Sequence, residues 1–351
     1  MEKNAISSFC KRLPKVELHA HLNGSLSTKT LRELHELHVT SHINDASWNI
    51  WEAVIEHGQK RTLDECFQLF GIAHSLTSTP CAIYKATQDV VREFADDGVL
   101  YLELRSTPRT VPGVMSKAEY IQAMMDAIRD VTDCQIQVKL IVSIDRRQGK
   151  EAANETFNVT LAAHRQNPNI IVGMDLSGDP SKGDITDYLS IFDEARKAGF
   201  KLSLHCAEVP NTMEVEKILA FHPDRLGHCT CIHPLHSGSQ ELWLKLLNSY
   251  IPVELCLTSN VKCGTVDDYK KHHFIHLYSA NHPVILATDD KGVFATSLTE
   301  EYILAANNYG LSREQLWQMV LSSIKYTFAS DEEKHQLKQQ FLKIKELISN
   351  E

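Results

Sequence analysis

Hydrophobic and polar residues alternate along Val16–Asn23. Val16, Leu18, Ala20 and Leu22 fall on one face and Glu17, His19, His21 and Asn23 on the other. That is the period-two pattern of a β-strand. Gly24 breaks it, and Ser25 or Ser27 suits the cap of a following helix. The spacing then becomes helical, with Leu63, Cys66, Phe67, Phe70 and His74 on one face. From there strand and helix alternate. Strands are predicted at Val99–Pro108, Val138–Asp145, Ile171–Ser177, Lys201–His205, about Asp224–His228, Pro252–Thr258 and Pro283–Asp289. Helices are predicted at Ile83–Ala95, Lys117–Val131, Glu151–Arg165, Asp187–Ala198 and Glu241–Asn248. Glu300–Asn308, Glu314–Ser323 and Asp331–Ile348 close the chain.

Eight apolar strands with mostly helical connections predict an α/β fold, a (β/α)8 TIM barrel with extra helices. A doubly wound open sheet is the alternative. It usually carries a glycine-rich turn after its first strand, which is absent here. No low-complexity linker or short repeat divides the chain, so residues 1–351 are expected to form one barrel domain, with residues of about 300–348 as closing helices. The long stretch between the first two strands has the length of a lid.

Composition narrows the function. The 351 residues carry a net charge of −9, which argues against binding a nucleic-acid polymer but not a small anion. The nine cysteines are odd in number and contain no C-x-x-C pair, so no disulfide framework or zinc module is expected. Met1–Leu13 lacks an apolar core, and no apolar run approaches the length of a membrane span. A reducing, cytosolic setting is expected, with no membrane partner.

In a barrel the C-terminal ends of all strands face one mouth. Those ends carry His19, His21 and Asn23; Arg105 through Arg109; Asp145, Arg146 and Arg147; Ser177, Gly178 and Asp179; His205 and Glu208; His228; Thr258, Ser259 and Asn260; and Asp289 and Asp290. His19 and His21 lie two apart on a strand and point the same way. With His205 and Asp289 they make three imidazoles and one carboxylate, a donor set for zinc with room for a water. Such a centre makes the water acidic. His228 and Glu208 remain for proton transfer, and a carboxyl in a closed pocket can keep its proton and act as an acid. Taken singly, each has a plainer reading. His205 or His74 could be a satisfied core histidine, Asp289-Asp290 a helix cap, and Glu208 a solvated carboxylate before Val209-Pro210. Together those readings require independent coincidences at one barrel mouth. Cys229, Cys231, His233 and His236 are ligand-like in type, but Pro234 marks a loop. His272, His273 and His276 read as a polar connection.

Pro14-Lys-Val-Glu-Leu-His-Ala-His, Leu176-Ser-Gly-Asp, His205-Cys-Ala-Glu, Arg225-Leu-Gly-His and Ala287-Thr-Asp-Asp follow one another from residue 14 to 290. In these motifs and their order the chain resembles the adenosine/AMP deaminase family of zinc hydrolases. Val16–Ser25, Tyr101–Pro108, Asp145-Arg-Arg, Glu254–Asn260 and Thr288–Phe294 look most like its branch acting on N6-methyl-AMP. The resemblance implies a metal-dependent hydrolase barrel with one Zn2+, removing the C6 amine from a purine monophosphate. IMP and methylamine would be the products. By the same likeness Glu208 gives a proton to N1, and His228 and Asp289 serve the attacking water. Asp290 pairs with N7 and the Gly178 N–H with N3, while His21, His74 and Asp145 line the pocket.

One departure bears on substrate. The nucleoside-specific branch has Asp where this chain has Asn23, and a carboxylate there would repel a 5′-phosphate. Asn23 offers an amide donor instead, and Ser106, Thr107 and Arg109 add others, with Arg146 and Arg147 in reserve. The expected partner is a small purine nucleoside monophosphate bound by a monomer. The alternatives are deamination of AMP, adenosine or adenine, a catalytically silent nucleotide-binding barrel, and a related zinc hydrolase acting on an amide or ester.

Overall fold

The computed structural model describes residues 2–39, 52, 54 and 61–349. Its centre is eight parallel strands in the order β1 to β8. They are Lys15–His21 (β1), Val99–Ser106 (β2), Gln137–Asp145 (β3), Ile171–Ser177 (β4), Lys201–Cys206 (β5), Arg225–His228 (β6), Val253–Leu255 (β7) and Val284–Leu286 (β8). The barrel closes where β8 runs on to meet β1. The Asp289 N–H donates to the His19 carbonyl (2.8 Å), and the His21 N–H donates to the Asp289 carbonyl (2.9 Å). Three of the four predicted ligands are thus tied together through their backbones.

The alternation in β1 separates two buried layers rather than core from water. Val16, Leu18 and Ala20 are buried in the apolar core, yet Glu17 and His19 are equally buried. The polar set meets its counterparts from across the sheet, inside the barrel. Glu254 of β7 accepts from His19 Nδ1 (2.6 Å), Arg105 Nη2 (2.8 Å) and Ser203 Oγ (2.7 Å), and it pairs with Arg225 of β6. Arg225 also pairs with Glu103, donates to the Tyr326 carbonyl (2.7 Å) and lies 3.7 Å over the Phe328 ring. Burial raises the Glu254 pKa, but Arg105 and Arg225 outweigh it and hold the carboxyl well below the usual range. The barrel interior is therefore filled with paired charges beneath its mouth.

Several elements differ from expectation. β7 ends at Leu255, because helix Leu257–Lys262 follows at once, with the Thr258 N–H held by Glu301 (3.1 Å). β8 likewise stops at Leu286. Helix Thr212–Phe221, with Asn211 accepting from the Glu214 N–H, lies between β5 and β6, where the sequence pattern predicts no helix. Helix Glu2–Arg12 precedes β1. Ser27, not Ser25, accepts from the Thr30 N–H (3.1 Å) at the helix after β1. Within the lid candidate, residues 40–51, 53 and 55–60 lie outside the described residues. Helix Leu63–Leu76, capped by a reciprocal Thr62–Glu65 pair, belongs to the same stretch and reaches the barrel mouth. All nine cysteines are free. No described helix is long and apolar enough to cross a membrane.

Arg225→Met removes the cation shared by Glu103 and Glu254 without touching the mouth. Glu103 loses its cation and Glu254 keeps only Arg105, which should cost about 3–5 kcal/mol. Urea unfolding followed by circular dichroism reads this directly, and a loss under about 1 kcal/mol would mean the network adds no net stability.

Candidate active site

A cavity of about 750 Å³ opens at the C-terminal ends of the strands. His21, Asn23, His74, Ser106, Thr107 and Gly178 line it, as do His205, Glu208, His228, Asp289 and Asp290. At its floor the Nε2 atoms of His19 and His21 each lie 3.4 Å from Asp289 Oδ1, and His21 Nε2 lies 3.3 Å from His205 Nε2. A tetrahedral ion with ligand bonds of about 2.0–2.1 Å separates its donors by about 3.3–3.4 Å. His19 Nε2 is buried without a hydrogen-bond partner, as a ligand atom awaiting a metal would be. The four residues therefore fit one tetrahedral metal ion.

The orientation of these rings is set from below. His19 Nδ1 is engaged by Glu254 (2.6 Å) and His205 Nδ1 by Asp175 (2.9 Å), which leaves both Nε2 atoms for the centre. Burial pushes the His21 pKa down to about 3, so its imidazole is neutral and able to ligate. His228 joins the same cluster, with donor atoms of His19, His205, His228 and Asp289 all within 4.8 Å of one another. Its Nε2, however, faces the second oxygen of Asp289, Oδ2, at 3.8 Å and Glu208 Oε2 at 3.9 Å. This position suits proton handling beside a metal better than ligation.

Neighbouring carboxyls are driven to opposite states. Asp289 lies well below its usual pKa: burial opposes this, but His19, His228 and His21 overcome it. Asp290 is pushed well above by its own burial and by Asp289, so it keeps its proton. Asp290 lines the cavity, and its Oδ1 is buried without a partner against Gly24, where a Cβ would lie 1.6 Å from that oxygen. Burial also raises Glu208, more than His205 lowers it. The chain bends sharply where these groups emerge, with positive φ at Ala207 (53°), His228 (61°), Cys229 (57°) and Asp289 (61°). Such backbone is strained for residues with a Cβ and gathers at functional sites.

Two of the expected substrate residues lie elsewhere. Arg109 does not line the cavity. Its guanidinium donates to the carbonyls of His74 and Thr77 (2.8 Å to Thr77) and clamps the end of helix Leu63–Leu76. Asp145 is likewise set back. It accepts from the Arg147 N–H (2.9 Å) and from the Arg147 guanidinium (2.7 Å), and it abuts Gly178, where a Cβ would meet Asp145 Oδ1 at 2.4 Å. The cation it steadies, Arg147, lines the cavity, whereas Arg146 is buried against Glu214. Asn23 is held at both ends. Its Nδ2 donates to Thr77 Oγ1 (2.8 Å), and its Oδ1 accepts from Tyr120 OH (3.0 Å), which is bonded to Ser106 (2.8 Å). Burial, helped by Arg109 and Arg147, pushes His74 down to about 4, so a neutral imidazole faces the cavity.

The adenosine deaminase family pattern matches residues 14–344. The chain belongs to the adenosine deaminase family. Among its relatives in the family, the N6-methyl-AMP deaminase of Bos taurus is 44% identical over 343 residues, which cover 97% of this chain and 96% of the relative. The apo N6-methyl-AMP deaminase of Arabidopsis thaliana superposes with a TM-score of 0.87 at 39% identity, covering 95% of this chain and 98% of that one. Arabidopsis ADAL complexed with IMP gives a TM-score of 0.83 at 39% identity over 96% and 97% of the two chains.

The sequence reading missed the residues beneath the site. Glu254 and Arg225 stood in quoted motifs but had no role, and Asp175 was not singled out. A signal did exist: charged residues inside otherwise apolar strands, at positions that share the face of the metal-ready histidines. His272 and His273, read as a polar connection, are in fact buried under His228.

Asp175→Asn removes the charge behind His205 while leaving all four donors. Metal affinity is expected to fall about 10–100-fold. Competition with a chromophoric chelator measures it, and an unchanged affinity would refute the orienting role of Asp175.

Proposed function

We propose that this chain is a zinc-dependent aminohydrolase that converts N6-methyl-AMP to IMP and methylamine. The observation that carries the reading is the apposition of Glu208 and His228, 3.9 Å apart, beside the donor atoms of His19, His21, His205 and Asp289. The 44% identity to an N6-methyl-AMP deaminase supports the choice of substrate within the family.

His19, His21, His205 and Asp289 would hold the ion, and three imidazoles with one carboxylate suit a catalytic zinc. The bound ion supplies an acidified water for attack at C6. Glu208, whose carboxyl burial pushes toward its protonated form, delivers its proton to the purine N1 and makes C6 electron-poor. Asp290, also protonated, donates to N7, and the Gly178 N–H meets N3. His228 and Asp289 flank the nucleophile and orient it, and Asp289 takes its proton. As the C6–N6 bond breaks, the leaving amine carries that proton away, and the C6 oxygen gives its remaining proton back to Glu208 as the C6 carbonyl of IMP forms. Elsewhere in the cavity wall Asn23, Ser106, Thr107 and neutral His74 present polar groups free of negative charge, with Arg147 as the cation for a 5′-phosphate. A cytosolic location belongs to the same reading, supported by the nine free cysteines.

The decisive assay compares kcat/KM of zinc-loaded protein on N6-methyl-AMP, AMP, N6-methyladenosine and adenosine. Strong preference for N6-methyl-AMP is expected, whereas preference for adenosine would overturn the phosphate reading of Asn23. Glu208→Gln should retain its zinc and lose about 10²–10⁴-fold in kcat. Near-normal turnover by that variant would remove Glu208 from the acid role.

A further inference from the structure

We propose that Asn260 and His272 are positioning residues that hold His228 in the tautomer with its proton on Nε2. The chain of hydrogen bonds starts at a backbone amide, whose direction admits no choice. The Phe274 N–H donates to His272 Nδ1 (3.0 Å), so that nitrogen is bare and the ring proton of His272 lies on Nε2. His272 Nε2 is 3.0 Å from Asn260 Oδ1 and donates to it. The other end of the amide, Nδ2, then faces His228 Nδ1 at 3.1 Å and must donate. Reversing the amide would set the Asn260 NH2 against the His272 N–H, donor against donor. His228 Nδ1 is therefore the acceptor, and its proton sits on Nε2.

The frame around this relay is tight. Asn260, His228 and His272 are all buried. The Asn260 carbonyl accepts from Thr265 Oγ1 (2.9 Å) and from the Val266 N–H (3.1 Å). The left-handed backbone at His228 is held by His273 Nε2, 2.7 Å from the His228 carbonyl.

The consequence rests on the deaminase reading above, although the tautomer itself does not. His228 meets the reacting groups as a hydrogen-bond donor through Nε2, and its Nδ1 lone pair is already taken by Asn260. It orients the attacking oxygen and stabilises charge there. The proton leaving the water then falls to Asp289, whose Oδ2 lies 3.8 Å from His228 Nε2. A loop that looked like a polar connector thus sets the role of the catalytic histidine.

The test reads ring nitrogens by NMR in zinc-loaded protein labelled with 15N-histidine, with His228 identified by its loss in His228→Gln. A bare Nδ1 and a protonated Nε2 are expected at His228, and the reverse pattern would overturn the proposal. The isosteric Asn260→Asp puts an acceptor opposite Nδ1 and should move the proton there. With zinc retained, kcat should fall on the order of 10²–10⁴-fold, as for a catalytic histidine held in the wrong tautomer, with KM within about threefold. An unmoved proton in that variant would also overturn the proposal. His272→Gln keeps a donor toward Asn260 and should preserve the wild-type pattern. If no purine is turned over yet the expected tautomer is seen, the assignment stands and the function reading fails.

Discussion

The Glu254 carboxylate binds the barrel floor to the chemistry above it. It accepts from His19, Arg105 and Ser203 and pairs with Arg225, so strands β1, β2, β5 and β6 converge on one residue of β7. Burying a carboxylate alone would be prohibitive, and the two guanidiniums make it tolerable. Once held, the carboxylate fixes the His19 ring with Nε2 free. Asp175 of β4, between His205 and Arg105, repeats the device three strands away. A site that must hold donors about 3.3–3.4 Å apart needs such supports, because unsupported imidazoles would rotate.

Above this floor the structure separates protonation states among groups only a few ångströms apart. Asp289, surrounded by imidazoles, is an anion, while adjacent Asp290, facing that anion in a buried position, is an acid. Glu208, near the same anion, is also pushed toward its acid form. Burial, reinforced by the charge on Asp289, thus sets the direction for both neighbours. The positive φ values at His228 and Asp289 are part of the arrangement, since they turn both side chains into the cavity at the strand ends.

The cavity wall distributes its polar groups differently. Asp145 and Arg109, which by charge invite assignment to a ligand, are spent on the protein itself. One steadies Arg147 and the other clamps helix Leu63–Leu76. Through that helix, His74 and Phe70 reach the mouth. Substrate contact and structural support are thus divided between neighbouring residues of the same charge class.

Local pattern determined much of this. The strand–helix rhythm is short-range in origin, and it led to eight parallel strands in chain order. That His19, His21, His205 and Asp289 meet was foreseeable because strand ends of a barrel must converge, whatever their separation in sequence. What tertiary structure alone decided are matters of direction and partnership. Alternation in β1 could not say that both faces are buried, because only the opposite wall of the barrel reveals where Glu17 and His19 point. The truncation of β7 depends on Glu301, forty-odd positions away, capturing the Thr258 N–H. Arg109, Arg146 and Arg147 are equivalent as letters, and only packing turns one toward the cavity and the others inward. The roles of Asn260 and His272 depend on which atom faces which, a property of three-dimensional hydrogen-bond geometry that no spacing of residues encodes.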